Sequence, residues 1–201
     1  VSMTARFTEH VGEYFALILF ATIGMLFIVS SENLLMVFLA LELTSLSLYV
    51  LVAFNKAGIT SAEAALKYFL FGGMSAAFML FGLSLIYGAS GQIEIEAIRA
   101  AIAGQTGDSL LLTGLVMTLV GFGFKVAIVP FHLWAPDAYQ GAPTPSAALI
   151  ASGSKVAGFF ILARLLSVSF PDAAGSGDWR GFVPGWMPVL AVCGALSMIL
   201  G

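Results

Sequence analysis

Glu42, Lys67, Lys125 and Lys155 each stand inside an apolar stretch, at residues 34–54, 64–87, 109–129 and 144–168. Each stretch is long enough to span a membrane, because about 20 apolar residues cover a hydrocarbon core of ~30 Å. A charge near the bilayer centre costs roughly 2.5–3.5 kcal/mol even on the lenient insertion scale, so such residues usually serve a purpose. A carboxylic acid and amines are groups that take up and release protons. A row of them reads as a path for protons or ions through a helical bundle.

Each residue also has a plainer reading. Glu42 is followed by Ser45 and Tyr49 at helical spacing, a polar stripe around a carboxylate that needs a cation or water to stay ionised. Its alternative is a neutral Glu bonding a neighbouring helix. Lys67, about one turn inside its stretch and just past Glu63, either snorkels to the interface or pairs with Glu42. Lys125 is deep in its stretch and precedes Pro130, which leaves the carbonyl of Val126 without its helical partner. Pro136, Gly141, Pro143 and Pro145 follow, so the helix must break over 109–140. Irregular backbone at membrane depth survives only inside protein or along a wet cavity, and with His132 nearby this predicts a solvated half-channel.

Lys155 is central in its stretch, with Ser152 and Ser154 beside it, and could take a proton onward from Lys125. His132 either gates that relay or bonds a carbonyl freed by the break. Asp137 reads as a cap for a short helix, or as an acceptor for backbone donors, rather than as a proton carrier. Arg164, near the end of its span, reads as an anchor. Trp134, Tyr139, Trp179 and Trp186 fit interfacial anchoring or packing.

These residues need helices to hold them, and the composition supplies them. Of 201 residues, 60% are hydrophobic and 9% charged, against about 25% charged in a soluble domain. The mean hydropathy is +1.02. The fold class expected is all-α: a polytopic transmembrane bundle of five spans and a truncated sixth, at 13–30, 34–54, 64–87, 109–129, 144–168 and 186 onward. The chain is expected to form a single membrane domain, 1–201, and a piece of a longer protein. It begins at Val1, without the charged region or cleavage site of a signal peptide. Residues 186–201 would reach only about 24 Å as a helix.

Short links between the early spans imply antiparallel neighbours. Residues 91–104 read as an amphipathic surface helix and 170–184 as a polar loop. Arg6 and Lys56 fall on one side, and Arg99, Arg164 and Arg180 on the other. The first loops often dominate orientation, which places the Lys56 side in the cytoplasm or matrix. A net charge of −3 without a basic cluster argues against a nucleic-acid partner. Cys193 is the one cysteine and His10 and His132 the two histidines, so neither a metal site nor a cofactor is expected in this chain.

From Lys125 to Pro145 the chain closely resembles the antiporter-like membrane subunits of proton-pumping NADH:quinone oxidoreductase, respiratory complex I. Pro130-Phe-His-Leu-Trp-Ala-Pro-Asp137 is similar to the form shared across that group. Tyr139-Gln-Gly-Ala-Pro143, Ala151-Ser-Gly-Ser-Lys155, Leu39-Ala-Leu-Glu-Leu-Thr-Ser-Leu46 and Glu63-Ala-Ala-Leu-Lys-Tyr-Phe69 resemble its subunit N branch (mitochondrial subunit 2).

The resemblance implies that Glu42 is the functional glutamate, Lys67 its partner, Lys125 the broken-helix lysine and Lys155 the connecting lysine. It also implies that the chain is the first of two inverted repeats plus the start of the next. The implied function is proton translocation driven by redox chemistry in partner subunits, which would hold NADH, FMN, iron–sulfur clusters and quinone. Partners would be neighbouring antiporter-like and small membrane subunits. The membrane would be the bacterial plasma membrane, or the mitochondrial inner membrane if organellar. Two alternatives stand beside it: a subunit of a multisubunit cation/proton antiporter or membrane hydrogenase, and a scaffold whose charges only lock helices together.

Overall fold

The computed structural model describes residues 10–104, 107–178 and 180–200. Arg6 and Trp179, read above as orientation and interface signals, lie outside the described residues. The described helices are α1 (Val11–Ser30), α2 (Leu34–Val52), α3 (Ile59–Ser90), α4 (Ile95–Ala101), α5 (Ser109–Val126), α6 (Ala135–Gly141), α7 (Thr144–Ala151), α8 (Gly153–Ser169) and α9 (Trp186–Leu200). α1, α2, α3, α5 and the α7–α8 pair are long and apolar enough to cross a membrane, with α9 a shorter sixth. This is the all-α bundle that the hydropathy predicts.

Local chemistry sets several of the ends. The Asn33 side chain caps α2 by accepting from the amides of Leu35 (3.0 Å) and Met36 (3.2 Å), and Asp108 caps α5 through Leu110 (2.8 Å). The segment 91–104 does contain the short amphipathic helix expected, α4, whose Ile95 and Ile98 are fully buried. It is tied down by backbone bonds from Leu34 to Ile93 and from Ile95 to Glu32, both 2.8 Å. Arg164 completes this latch, donating to the Ser31 carbonyl (3.1 Å) and to Glu32 (2.9 Å). Its anchor is thus a loop of the protein itself. Lys56 lies at the opposite end of α2, as the loop charges implied.

Three boundaries differ from expectation. α3 begins five residues earlier than 64 and ends at Ser90, a 32-residue helix, because nothing in its first turns opposes helix formation. Lys67 therefore sits about two turns inside it. The expected span 144–168 is two helices, bent at Ser152 (φ −111°, ψ −80°) where Ser152-Gly153-Ser154 interrupts the run. Gly/Ser pairs are a common cause of such kinks. α5 stops at Val126 rather than 129, with Ala127 in the left-handed region (φ 58°) closing the helix.

Two apolar cores form at the two ends of the bundle. One gathers Ile28, Ile86, Ile95, Ile98, Leu111 and Phe170 around α4. The other gathers Tyr14, Tyr49, Tyr68, Phe124 and Trp134 around α6. Between them α3 and α5 approach closely through small residues, as membrane helices must when lipid gives no reward for association. A Cβ at Gly82 would lie 2.6 Å from the Thr118 amide nitrogen and 2.7 Å from the Gly114 carbonyl. Gly82→Val should therefore destabilise the bundle by about 1–3 kcal/mol. Gly88→Ala should be near neutral, since its Cβ would meet only a Leu110 methyl at 3.9 Å. Thermal denaturation of the detergent-solubilised variants checks both.

Candidate functional site

α5 carries Lys125 on its last turn, and a lysine side chain on a helix leans back toward the helix N-terminus. That direction takes its ammonium to the middle of α2. There Lys125 Nζ lies 3.4 Å from Glu42 Oε1 and donates to the Ser45 hydroxyl. The Ser45 hydroxyl in turn donates to the Leu41 carbonyl at 2.6 Å. The Lys125 side chain is 9% exposed and that of Glu42 25%. Two charges taken out of water are tolerable when each faces the other, and costly when either is alone.

The expected Glu42–Lys67 pair is not the one formed. Lys67 pairs with Glu63 at 2.8 Å and with Asp137 at 3.1 Å. The reason is the packing of α6 on the first turns of α3. Gly141 rests against Thr60 and Ala64, and Asp137, one turn earlier on α6, is brought beside Lys67, one turn further along α3. Glu63 precedes Lys67 by four residues on the same helix face. All three side chains are about half exposed, so breaking this cluster costs far less than breaking the pair at Glu42.

Asp137 makes no capping bond on α6, so the reading of it as a cap is also corrected. Its role could have been anticipated from the Asp137/Gly141 spacing only with knowledge of where Gly141 packs. Tyr49, placed by the sequence on one stripe with Glu42 and Ser45, points its hydroxyl at Gly72, with no hydrogen bond there.

At the broken end of α5 the last carbonyls are satisfied by the helix only in part: Phe124 still accepts from the Ala127 amide at 3.1 Å. Two side chains answer them. Trp134 Nε1 donates to the Phe124 carbonyl at 3.1 Å, and Lys155 Nζ donates to the Lys125 carbonyl at 2.9 Å. The same Lys155 ammonium stands 4.3 Å from the centre of the Trp134 ring. Lys125 and Lys155 are therefore joined through one residue: the side chain of Lys125 reaches Glu42 while its carbonyl receives Lys155. A further tie comes from α9, where the Ser197 hydroxyl accepts from the Val129 amide at 3.0 Å.

His132 lies with Lys155, Tyr139 and Ala127 on an open cleft of about 690 Å³. Its Nδ1 is buried without a hydrogen-bond partner. The carbonyls of Phe124 and Lys125 receive Trp134 and Lys155, and the His132 Nδ1 bonds neither. Trp134 is 2% exposed and Trp186 donates to the Phe170 carbonyl at 2.8 Å, so both are tied into the bundle's packing.

Comparison with known proteins gives the family. Residues 31–201 match the family described as NADH:quinone oxidoreductase/Mrp antiporter, transmembrane. A curated relative, NADH-quinone oxidoreductase subunit N 2 of Acidobacterium capsulatum, is 59% identical over 98% of this chain and 40% of its own length. Among solved structures, a chain of respiratory complex I from Thermus thermophilus with bound aureothin is 41% identical at a TM-score of 0.68, covering 81% of this chain and 35% of that one. A chain of the archaeal membrane-bound sulfane sulfur reductase is 28% identical at a TM-score of 0.81, covering 95% and 37%. The chain spans about two fifths of the length of the curated relative.

The pairing of Glu42 with Lys125 has a direct energetic test. Glu42→Leu strands a buried ammonium and should destabilise by about 3–5 kcal/mol. Glu42→Leu with Lys125→Met should lose clearly less than either single change. A double-mutant cycle read by thermal unfolding in nanodiscs would show it.

Proposed function

The chain belongs to the NADH:quinone oxidoreductase/Mrp antiporter transmembrane family, and on that footing we propose that it is part of a proton-translocating subunit of an NADH:quinone oxidoreductase. The observation that carries the proposal is the buried Glu42–Lys125 pair at the broken end of α5, with Lys155 on the carbonyl of that same lysine. A proton held at Lys125 faces the Glu42 carboxylate. A shift of Glu42 changes what holds that proton, and water entering at the break carries it to the Lys155 side. His132 lines the same cleft as Lys155, and its ring is the group there that exchanges the proton with water. Lys67, with Asp137 and Glu63, is the outer cation of the row, toward the start of α3.

One cysteine and two histidines equip the chain poorly for electron transfer. Oxidation of NADH and reduction of quinone, with FMN and iron–sulfur clusters, would then fall to partner subunits in the bacterial plasma membrane. The drive would reach this chain mechanically, through neighbouring antiporter-like and small membrane subunits. The likeness to the sulfane sulfur reductase chain supports a second reading, in which the same module serves another respiratory membrane complex. The higher identity to complex I favours the first, and neighbouring genes for NADH-dehydrogenase subunits, rather than hydrogenase or antiporter subunits, would separate them.

The test replaces Lys125 with Ala in the intact complex and measures protons moved per quinone reduced. The stoichiometry should fall by the share this subunit carries, with the complex still assembled. An unchanged stoichiometry contradicts the proposal, and loss of assembly alone points to a scaffold.

A further inference from the structure

We propose that Trp134 is a positioning residue for the relay: its ring is the seat that holds the Lys155 side chain at the broken end of α5 when that side chain carries its proton. The inference rests on the proton-relay reading above.

The seat is built from three fixed sides. Trp134 cannot swing away, because it is buried and its Nε1 is bonded to the Phe124 carbonyl at 3.1 Å. Tyr68 stacks on it with ring centres 4.3 Å apart and planes within 5°, and Phe124 leans on it at 4.9 Å and 34°, so neighbouring rings fix its plane. Lys155 Nζ stands 4.3 Å from the ring centre, within the distance at which an ammonium is attracted to the negative face of an aromatic ring. The third side is the Lys125 carbonyl at 2.9 Å, one of the last of α5, where the helix dipole also favours a cation.

All three attractions act on the ammonium. A neutral amine keeps only a weaker N–H bond to the carbonyl and gains little from a ring face or a helix C-terminus, so the geometry holds Lys155 far more firmly when it is loaded than when it is not. The open cleft shared with His132 lies on the same side, where a freed side chain can move. Proton occupancy of Lys155 is thereby converted into side-chain position. Trp134 neither gives nor takes a proton in this scheme.

The test is a series of progressively fluorinated tryptophans at position 134, introduced into the full-length subunit of the intact complex. Fluorine drains the negative face of the ring while keeping its shape. It also leaves the Nε1–H in place as an equal or better donor, so packing and the bond to Phe124 survive. Proton translocation per quinone reduced should fall stepwise with fluorine number. Across the series, the rate assigned to this subunit should fall by about tenfold, in line with a desolvated cation–π contact. Lys155→Ala, measured beside it, should remove that share altogether. A flat series with a Lys155→Ala variant that does not pump overturns the seat and leaves the relay standing. A Lys155→Ala variant that pumps normally overturns both.

Discussion

A charge held inside hydrocarbon must be met by an opposite charge or by dipoles, and the end of α5 is where this protein supplies both. The helix stops at Val126 inside the bundle, so the Lys125 carbonyl is offered at the depth where Lys155 needs a partner. The side chain of Lys125 turns back to Glu42 and Ser45, and its carbonyl takes Lys155. Had α5 run on unbroken, the Lys125 carbonyl would have been consumed by a helical bond and Lys155 would have been left bare. The break and the lysines answer each other's cost.

The rest of the fold reads as support for that meeting point. At one end, α4, Arg164 and the Ser31–Asn33 loop lash α2 to α8 by backbone bonds and an ion pair. At the other, the aromatic core of Tyr49, Tyr68, Phe124 and Trp134 fixes the broken segment against α2 and α3. Close contact of α3 with α5 at Gly82, Gly114 and Gly121 keeps Lys125 within reach of Glu42. The Lys67–Asp137 cluster lies nearer the start of α3 and is half exposed, so its geometry can change without stranding a charge in lipid.

Much of this was legible in the sequence. Hydropathy marks the spans, and the run of prolines from Pro130 marks the break. The depth of Lys125 and Lys155 marks them as residues that cannot snorkel. Pairing was the part that periodicity could not reach. Residues on different helices meet according to how far each helix is rotated, and a sequence pattern reports only which residues share a face. Spacing leaves Lys67 between the interface and Glu42, and the resemblance implies Glu42, whereas the seating of Gly141 on α3 delivers Asp137 to it. Trp134 was read as anchoring or packing for a similar reason. A ring that bonds the Phe124 carbonyl and faces Lys155 looks, in sequence, like any aromatic near an interface.

The central claim is that the Glu42–Lys125 contact changes during turnover. Infrared difference spectroscopy between the oxidised and the NADH-reduced intact complex addresses it directly. A carboxylate band that vanishes in Glu42→Gln should shift between the two states, and that shift should disappear when Lys125 is replaced by Met. A Glu42 band at the same frequency in both states would contradict the account.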